Sequence, residues 1–306
     1  MNRSMPELPE VETVVRSLRP QLLGRRITAV ELPTRAMNGS SGNLLQRLLS
    51  GPPEVFQERL CGARVKGIRR YGKNIVMTLD RNGNLPAGSS LLIHLGMTGR
   101  LVFEHVPEPL RPHTHVIFSL DRSGCWLHFS DPRRFGKLRL MGNDLHELNR
   151  LGPDPMEISC DEFCRRLHSR CARLKSLLLD QRFLRGLGNI YADESLARAR
   201  LHPAAIGARL SRRRAAALYE AIREVLTQAI ALGGSSISSY VDAEGRAGWF
   251  QQAHQVYGRT GEPCFRCGAG IRRLVIASRS THYCPRCQRA GRPQARETVA
   301  RGRMAR

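Results

Sequence analysis

Cys264, Cys267, Cys284 and Cys287 stand as C-x2-C, sixteen intervening residues and a second C-x2-C. Each pair places two thiolates on one tight turn. Two such turns close a tetrahedron around a zinc ion and leave no position for water. A closed site is structural: the metal folds a short segment that cannot build a core of its own. One structural zinc is therefore expected. The alternative is two disulfides or four unrelated thiols. The total of nine cysteines is odd and no secretory leader is visible, and both facts favour the metal. Between the pairs, residues 271–283 read as two strands carrying Arg272, Arg273 and Arg279. A metal-held hairpin that displays arginines suits the gripping of phosphate. The plainer reading is a set of solvated hairpin charges.

The rest of the composition points the same way. A net charge of +23 over 306 residues implies a polyanionic partner, most simply nucleic acid. An arginine-rich proteome with a merely solvated basic surface would show the same balance. Hydrophobic residues make up 41%, so the chain is globular, with length enough for two domains. Cys61, Cys125, Cys160, Cys164 and Cys171 have no pairing pattern and read as reduced, small residues. No apolar run approaches the roughly eighteen residues of a membrane span. A soluble intracellular protein with no membrane partner is expected.

The elements that must position this chemistry follow from periodicity. Val11, Val14, Val15 and Leu18 fall at i, i+3, i+4 and i+7, which predicts a helix over 10–23 with acidic residues in its first turn. From Arg26 to Leu140 short apolar alternations recur, among them NIVMTL and SLLIHL, separated by Gly, Pro and Asn-Gly. That predicts a β-sandwich or flattened barrel. LGPDP at 151–155 breaks the pattern. Helical periodicity follows, with Ser211 placed to cap a helix that Gly233-Gly234 ends. The expected fold is α+β and multidomain. Residues 1–150 form a β-sandwich catalytic domain with an N-terminal helix, and 151–160 a linker. Residues 161–254 are helical, 255–290 are the zinc β-hairpin, and 291–306 are a disordered basic tail.

Five segments are more specific than any of this: PELPEVET at 6–13, HLGMTG at 94–99, DPRRFG at 131–136, GLGNIYADESL at 186–196, and Y-G-R-x-G-x-P-C at 257–264 leading into the zinc hairpin. Together they resemble the formamidopyrimidine-DNA glycosylases, bacterial enzymes that remove oxidised purines from DNA. The resemblance runs from Pro6 to about Gln288. The sister group, the endonuclease VIII-like glycosylases, carries Gly where Leu8 stands and lacks a loop like GSSISSY at 234–240. The purine branch is favoured, and the pyrimidine branch is the alternative.

The resemblance implies a bifunctional DNA glycosylase/AP lyase of base excision repair acting on damaged duplex DNA as a monomer in the bacterial cytoplasm, at the nucleoid. It implies a helix–two-turns–helix module in the helical region, and it assigns roles by position. Pro6 supplies a secondary amine that attacks C1′ and forms a Schiff base, followed by β,δ-elimination. A proline nitrogen inside a peptide bond cannot do this, so the active chain is expected to begin at Met5 and lose that methionine. If residues 1–5 are retained, the alternative is a non-catalytic binder of damaged DNA. Glu7 is the proton donor and shuttle, with Glu10 supporting; Glu10 and Glu12 are its rivals from residue type alone. Lys73 assists β-elimination, and Arg279 clamps phosphates and assists δ-elimination. Met97, Arg133 and Phe135 fill the space left by the everted base. His94, His113, Arg134, Arg170, Lys175, Asn189 and Tyr257 are further DNA contacts. The loop 233–240 covers the everted purine. Met97 and Phe135 would otherwise read as core, and Lys73 as a solubilising turn residue.

Overall fold

The fold comes from a computed structural model, which describes residues 5–33, 45, 47–49, 51–80, 85, 86, 88–105, 110–121, 124–142, 146–236 and 240–290. The expected tail at 291–306 and the loop residues Ser238 and Ser239 lie outside them.

Two antiparallel four-stranded sheets make the N-terminal layer pair. One runs β1-β6-β7-β5, from β1 (Ile27–Glu31), β5 (Arg100–Glu104), β6 (Thr114–Leu120) and β7 (Trp126–Ser130). The other runs β2-β3-β4-β8, from β2 (Val65–Tyr71), β3 (Asn74–Leu79), β4 (Ser90–His94) and β8 (Lys137–Met141). They face each other as a sandwich. The near-continuous apolar runs in β3 and β4 have a simple cause. Ile75, Met77, Leu91 and Ile93 face the inter-sheet core, while Val76 and Leu92 point outward and are covered by Leu148. A strand buried on both faces loses its polar alternation.

Helix α1 (Leu8–Leu22) serves two cores. Its stripe of Val11, Val14, Val15 and Leu18 packs on the sandwich, whereas Leu8 belongs to the helical core. That second core is made by α4 (Cys160–His168), α5 (Leu174–Leu179), α6 (Asn189–Arg198) and α7 (Arg212–Ala231). Two short helices, α2 (Pro53–Leu60) and α3 (His146–Asn149), border the sandwich. Ser211 caps α7, accepting from Arg214 N–H, and Gly233 and Gly234, both at positive φ, end it. The segment 151–160 is no free spacer. Asp154 is buried, accepts Arg70 Nη1 at 2.6 Å and lies 3.5 Å from Arg185 Nε, so it ties the sandwich to the helical module.

The C-terminal hairpin pairs β9 (Arg272–Ile276) with β10 (Arg279–Tyr283). Its two-residue turn, Ala277-Ser278, holds φ of 50° and 57°. That is the primed geometry that matches strand twist, adopted here without glycine at about 1–2 kcal/mol per residue. Arg279 is the first residue after the turn. Among the described residues, the apolar cluster beneath it has just Val256, Ile271 and Cys284 as its buried members, too small a core to hold the hairpin alone.

Candidate active site and metal centre

The N-terminus of α1 meets the N-terminus of α6. Gly188 opens α6 and brings no side chain to cap it. The acceptor comes instead from Glu7, 183 residues earlier: Ile190 N–H donates to Oε1 at 3.0 Å and Tyr191 N–H to Oε2 at 3.4 Å. A Cβ at position 188 would lie 2.4 Å from Glu7 Cδ, so glycine is required there. Pro6 and Glu7 are both buried. Burial pushes the Glu7 carboxyl above the usual carboxylate range, opposed by Lys73 and by the two N–H donors.

Glu10 braces this corner. It accepts Glu7 N–H at 2.9 Å, Ser235 N–H at 2.7 Å and the Tyr191 hydroxyl. Burial, with the charge of Glu7 second, raises it to about 7. Glu12 is elsewhere, paired with Arg16 and Arg70 on the helix flank, each at 2.9 Å. Of the three glutamates, only Glu7 and Glu10 reach the junction.

Lys73 sits in the tight turn between β2 and β3. Burial lowers its pKa; Glu7 opposes that shift and Arg279 adds to it. Glu7 and Arg279 thus come from separate parts of the chain, and Lys73 feels the charge of both. The chain has 49 basic residues but only four lysines, at 66, 73, 137 and 175. Arginine cannot be deprotonated in a protein and lysine can. Two of the four, Lys73 and Lys175, are lowered by burial in this region. That scarcity was a signal in the sequence that the reading above did not use.

Met97, Arg133 and Phe135 are brought together by a residue without an assigned role. Buried Asp131 accepts Thr98 Oγ1, Arg133 N–H at 3.2 Å and Gly136 N–H at 2.7 Å. It locks the turn after β4 to the turn before β8. Arg133 stacks 4.9 Å over the Phe135 ring, and Phe135 is 52% exposed. An exposed phenylalanine presented on a locked turn is a poor core residue and a good wedge. His113 and Arg134 are exposed on the same rim, with φ of 64° and 59°. His94 Nδ1 accepts Gly96 N–H at 3.0 Å, and burial lowers its pKa to about 4. It is neutral, with Nε2–H left to donate.

Lys175 differs from the expected DNA contact. It is fully buried, donating to Asp193 Oδ1 at 2.6 Å and to the Asn189 carbonyl at 2.9 Å. The side chain is enclosed in this structure and holds the turn that carries Asn189. The same Asp193 accepts His282 N–H at 2.8 Å, locking β10 to α6. Asn189 Nδ2 donates to Ser280 O at 2.9 Å, while its buried Oδ1 finds no partner among the described residues. Glu194 accepts Tyr257 N–H at 2.8 Å and Val256 N–H at 3.0 Å, which fixes buried Tyr257 beside the group. Arg170 is exposed after α4, and among the described residues its side chain makes no hydrogen bond to this group. Tyr191, Asp193 and Glu194 were missed as site residues because their partners are remote in sequence, and Asp131 because its link to Thr98 is.

The four cysteine Sγ atoms lie within 4.8 Å of one another, with Cys267–Cys284 at 3.4 Å and Cys264–Cys287 at 4.0 Å. A tetrahedral zinc with Zn–S near 2.3 Å needs S···S of about 3.8 Å. The thiols fit the ion and are too far apart for disulfides, whose S–S bond is about 2.05 Å. Cys267→Ser is expected to bring metal content well below one zinc per chain by elemental analysis. Hairpin amides should lose exchange protection while the sandwich amides keep theirs.

Comparison with known proteins agrees along the chain. The formamidopyrimidine-DNA glycosylase N-terminal domain matches residues 5–138, the formamidopyrimidine-DNA glycosylase H2TH domain residues 151–241, and the zinc finger found in FPG and IleRS residues 261–290. A formamidopyrimidine-DNA glycosylase of Solibacter usitatus (strain Ellin6076) is 50% identical over 285 residues, 93% of this chain and 100% of that protein. The Lactococcus lactis Fpg solved with abasic-site DNA superposes with a TM-score of 0.80 at 33% identity, covering 93% of this chain and 100% of its own. MutM solved with carbocyclic 8-oxo-G DNA gives a TM-score of 0.80 at 34% identity, again over 93% and 100%. A chain matched by three family domains in order, carrying the four-thiolate finger and a glutamate-capped α6, belongs to the formamidopyrimidine-DNA glycosylase family.

Proposed function

We propose that this chain is a bifunctional DNA glycosylase/AP lyase that excises oxidised purines, chiefly 8-oxoguanine opposite cytosine and formamidopyrimidines, from duplex DNA. One observation carries the reading. The Glu7 carboxyl is buried beside Pro6, raised by that burial above the usual carboxylate range, and capped onto α6, with Lys73 placed between the charges of Glu7 and Arg279. Relatives solved with abasic-site and 8-oxo-G DNA support it.

In this reading the free Pro6 amine attacks C1′. The bond to the base breaks, its electron pair leaves with the base, and the base takes a proton. Glu7 then protonates O4′, the C1′–O4′ bond opens, and a cationic iminium forms at C1′. The iminium acidifies the C2′ proton, which returns to the Glu7 carboxylate as the 3′ phosphate departs. Lys73, with its pKa lowered, helps move that proton, and Arg279 neutralises the departing phosphates of β- and δ-elimination. Met97, Arg133 and Phe135 fill the stack, with the Arg133 fork offered to the orphaned cytosine. His94, His113, Arg134, Arg170, Asn189 and Tyr257 hold the kinked backbone, and Lys175 acts through Asn189. Zinc, held by the four thiolates, keeps the hairpin folded so that Arg279 stays in reach.

We assign catalysis to residues 1–150, backbone grip to 161–254 and 255–290, and a monomeric cytoplasmic enzyme at the nucleoid. The test is a lesion panel on duplex oligonucleotides. Excision is expected from 8-oxoguanine and formamidopyrimidine strands, with nicking at preformed abasic sites. A preference for thymine glycol over 8-oxoguanine would overturn the purine assignment.

A further inference from the structure

Each zinc knuckle carries an arginine at the same place. Arg266 precedes Cys267 and Arg286 precedes Cys287, the second cysteine of each C-x2-C. The two turns face each other across the thiolates, which sets both arginines at one cavity. There they line a cavity of about 480 Å³ together with Arg200, Arg214 and Arg289. No carboxylate lines it among the described residues. Arg214 Nη2 is held against the Arg200 carbonyl at 3.3 Å and Arg289 Nε against the Arg286 carbonyl at 3.3 Å. Each of those two guanidiniums spends one donor on the protein and keeps the rest of its five for a ligand.

The bland account is that these arginines balance the metal centre. Four thiolates on Zn²⁺ carry a net charge of −2. Five guanidiniums line the cavity, so three positive charges remain unbalanced.

The cavity is not part of the catalytic cleft. Asn189, at the start of α6, faces the Glu7 corner, and Arg200 follows the other end of that ten-residue helix, about 15 Å away at 1.5 Å per residue. Arg279 starts β10, and Cys284 follows its five residues, roughly 17 Å further on. Both elements run away from the site, and the arginine cavity lies at their far ends.

We infer that this cavity is a second anion site, built for a chain of consecutive phosphate groups. A single phosphate needs two or three donors, whereas five arginines lining one cavity match several phosphates in a row. That chemistry has two sources: the backbone of a nucleic-acid strand outside the cleft, or a free oligophosphate.

The full-length zinc-loaded chain is titrated calorimetrically with inorganic tripolyphosphate and, separately, with a single-stranded oligothymidylate. The variants are R266Q/R286Q, R200Q/R214Q and a charge-matched control, R209Q/R213Q, with zinc content measured in each. R266Q/R286Q is expected to weaken the site's ligand about tenfold or more, and the control to change it by less than about threefold. R200Q/R214Q lies off the knuckles, so its matching loss keeps the result readable if R266Q/R286Q releases zinc. A loss for the oligonucleotide names a nucleic-acid strand as the ligand, and a loss for tripolyphosphate alone names a free oligophosphate. Equal affinity in R200Q/R214Q and the control, for both probes, overturns the site.

Discussion

Glu7→Gln is expected to lower 8-oxoguanine excision by about 10²–10⁴-fold, the range of a lost general acid, while duplex binding stays near the parent value. Glutamine keeps an acceptor for Ile190 N–H, so the cap on α6 weakens by only about 1 kcal/mol and the chain stays folded. What disappears is the proton. Burial raises the carboxyl, so the acid form persists to higher pH than for an ordinary glutamate and is lost as pH rises through that raised value. The parent enzyme's excision should therefore fall on the alkaline side, and the variant's residual rate should lack that limb. Nicking of a preformed abasic site should suffer less, because its sugar already opens to an aldehyde without enzymic protonation. Equal losses on both substrates, with a large fall in melting temperature, would make Glu7 a structural cap and nothing more.

How much of this was legible beforehand depends on how far apart the partners stand. The cysteine spacing is local, and the structure brings those thiols to metal distance. The strand runs, the α7 cap at Ser211 and the hairpin over 271–283 are local too, and appear where periodicity and turn chemistry place them. The Glu7 cap on α6 is not local. Its sign in the sequence is a helix opened by Gly188 with no capping side chain, which says that an acceptor is missing but not which one. Lys175 shows another kind of distance. The resemblance suggested a DNA contact there, and the structure pairs the side chain with Asp193, eighteen residues on and fully buried. Breaking such a buried pair leaves an uncompensated charge at about 3–5 kcal/mol. Asp131 shows a third case. It lay inside a quoted motif, yet only the folded chain reveals that one carboxylate sets both turns bearing Met97, Arg133 and Phe135.

A chain begun at Met5, from which the methionine is removed, is expected to trap covalently on 8-oxoguanine DNA when borohydride is present. One locked to the Met1 start should trap at background level. Borohydride reduces the Schiff base that a free amine forms at C1′ to a stable protein–DNA adduct, and the amine at this position is the Pro6 nitrogen once Met5 is gone. In a chain that keeps Met5, the Pro6 nitrogen is an amide with no basic lone pair. The effect is close to all-or-none. Packing reinforces it: Pro6 and Glu7 are buried, and Leu8 N–H is tied to Gly186 O at 3.0 Å, so the backbone here has no slack to bring another amine to the same point. Lys73 is the rival amine to test: its pKa is depressed like that of Lys175, but Lys175 is fully buried against Asp193. Lys73→Ala in the Met5-begun chain separates Lys73 from Pro6. If proline is the nucleophile, adduct still forms, though more slowly. If the adduct vanishes with Lys73 and persists in a chain shown by mass to retain Met1, the lysine carries the chemistry and the proline mechanism fails for this protein.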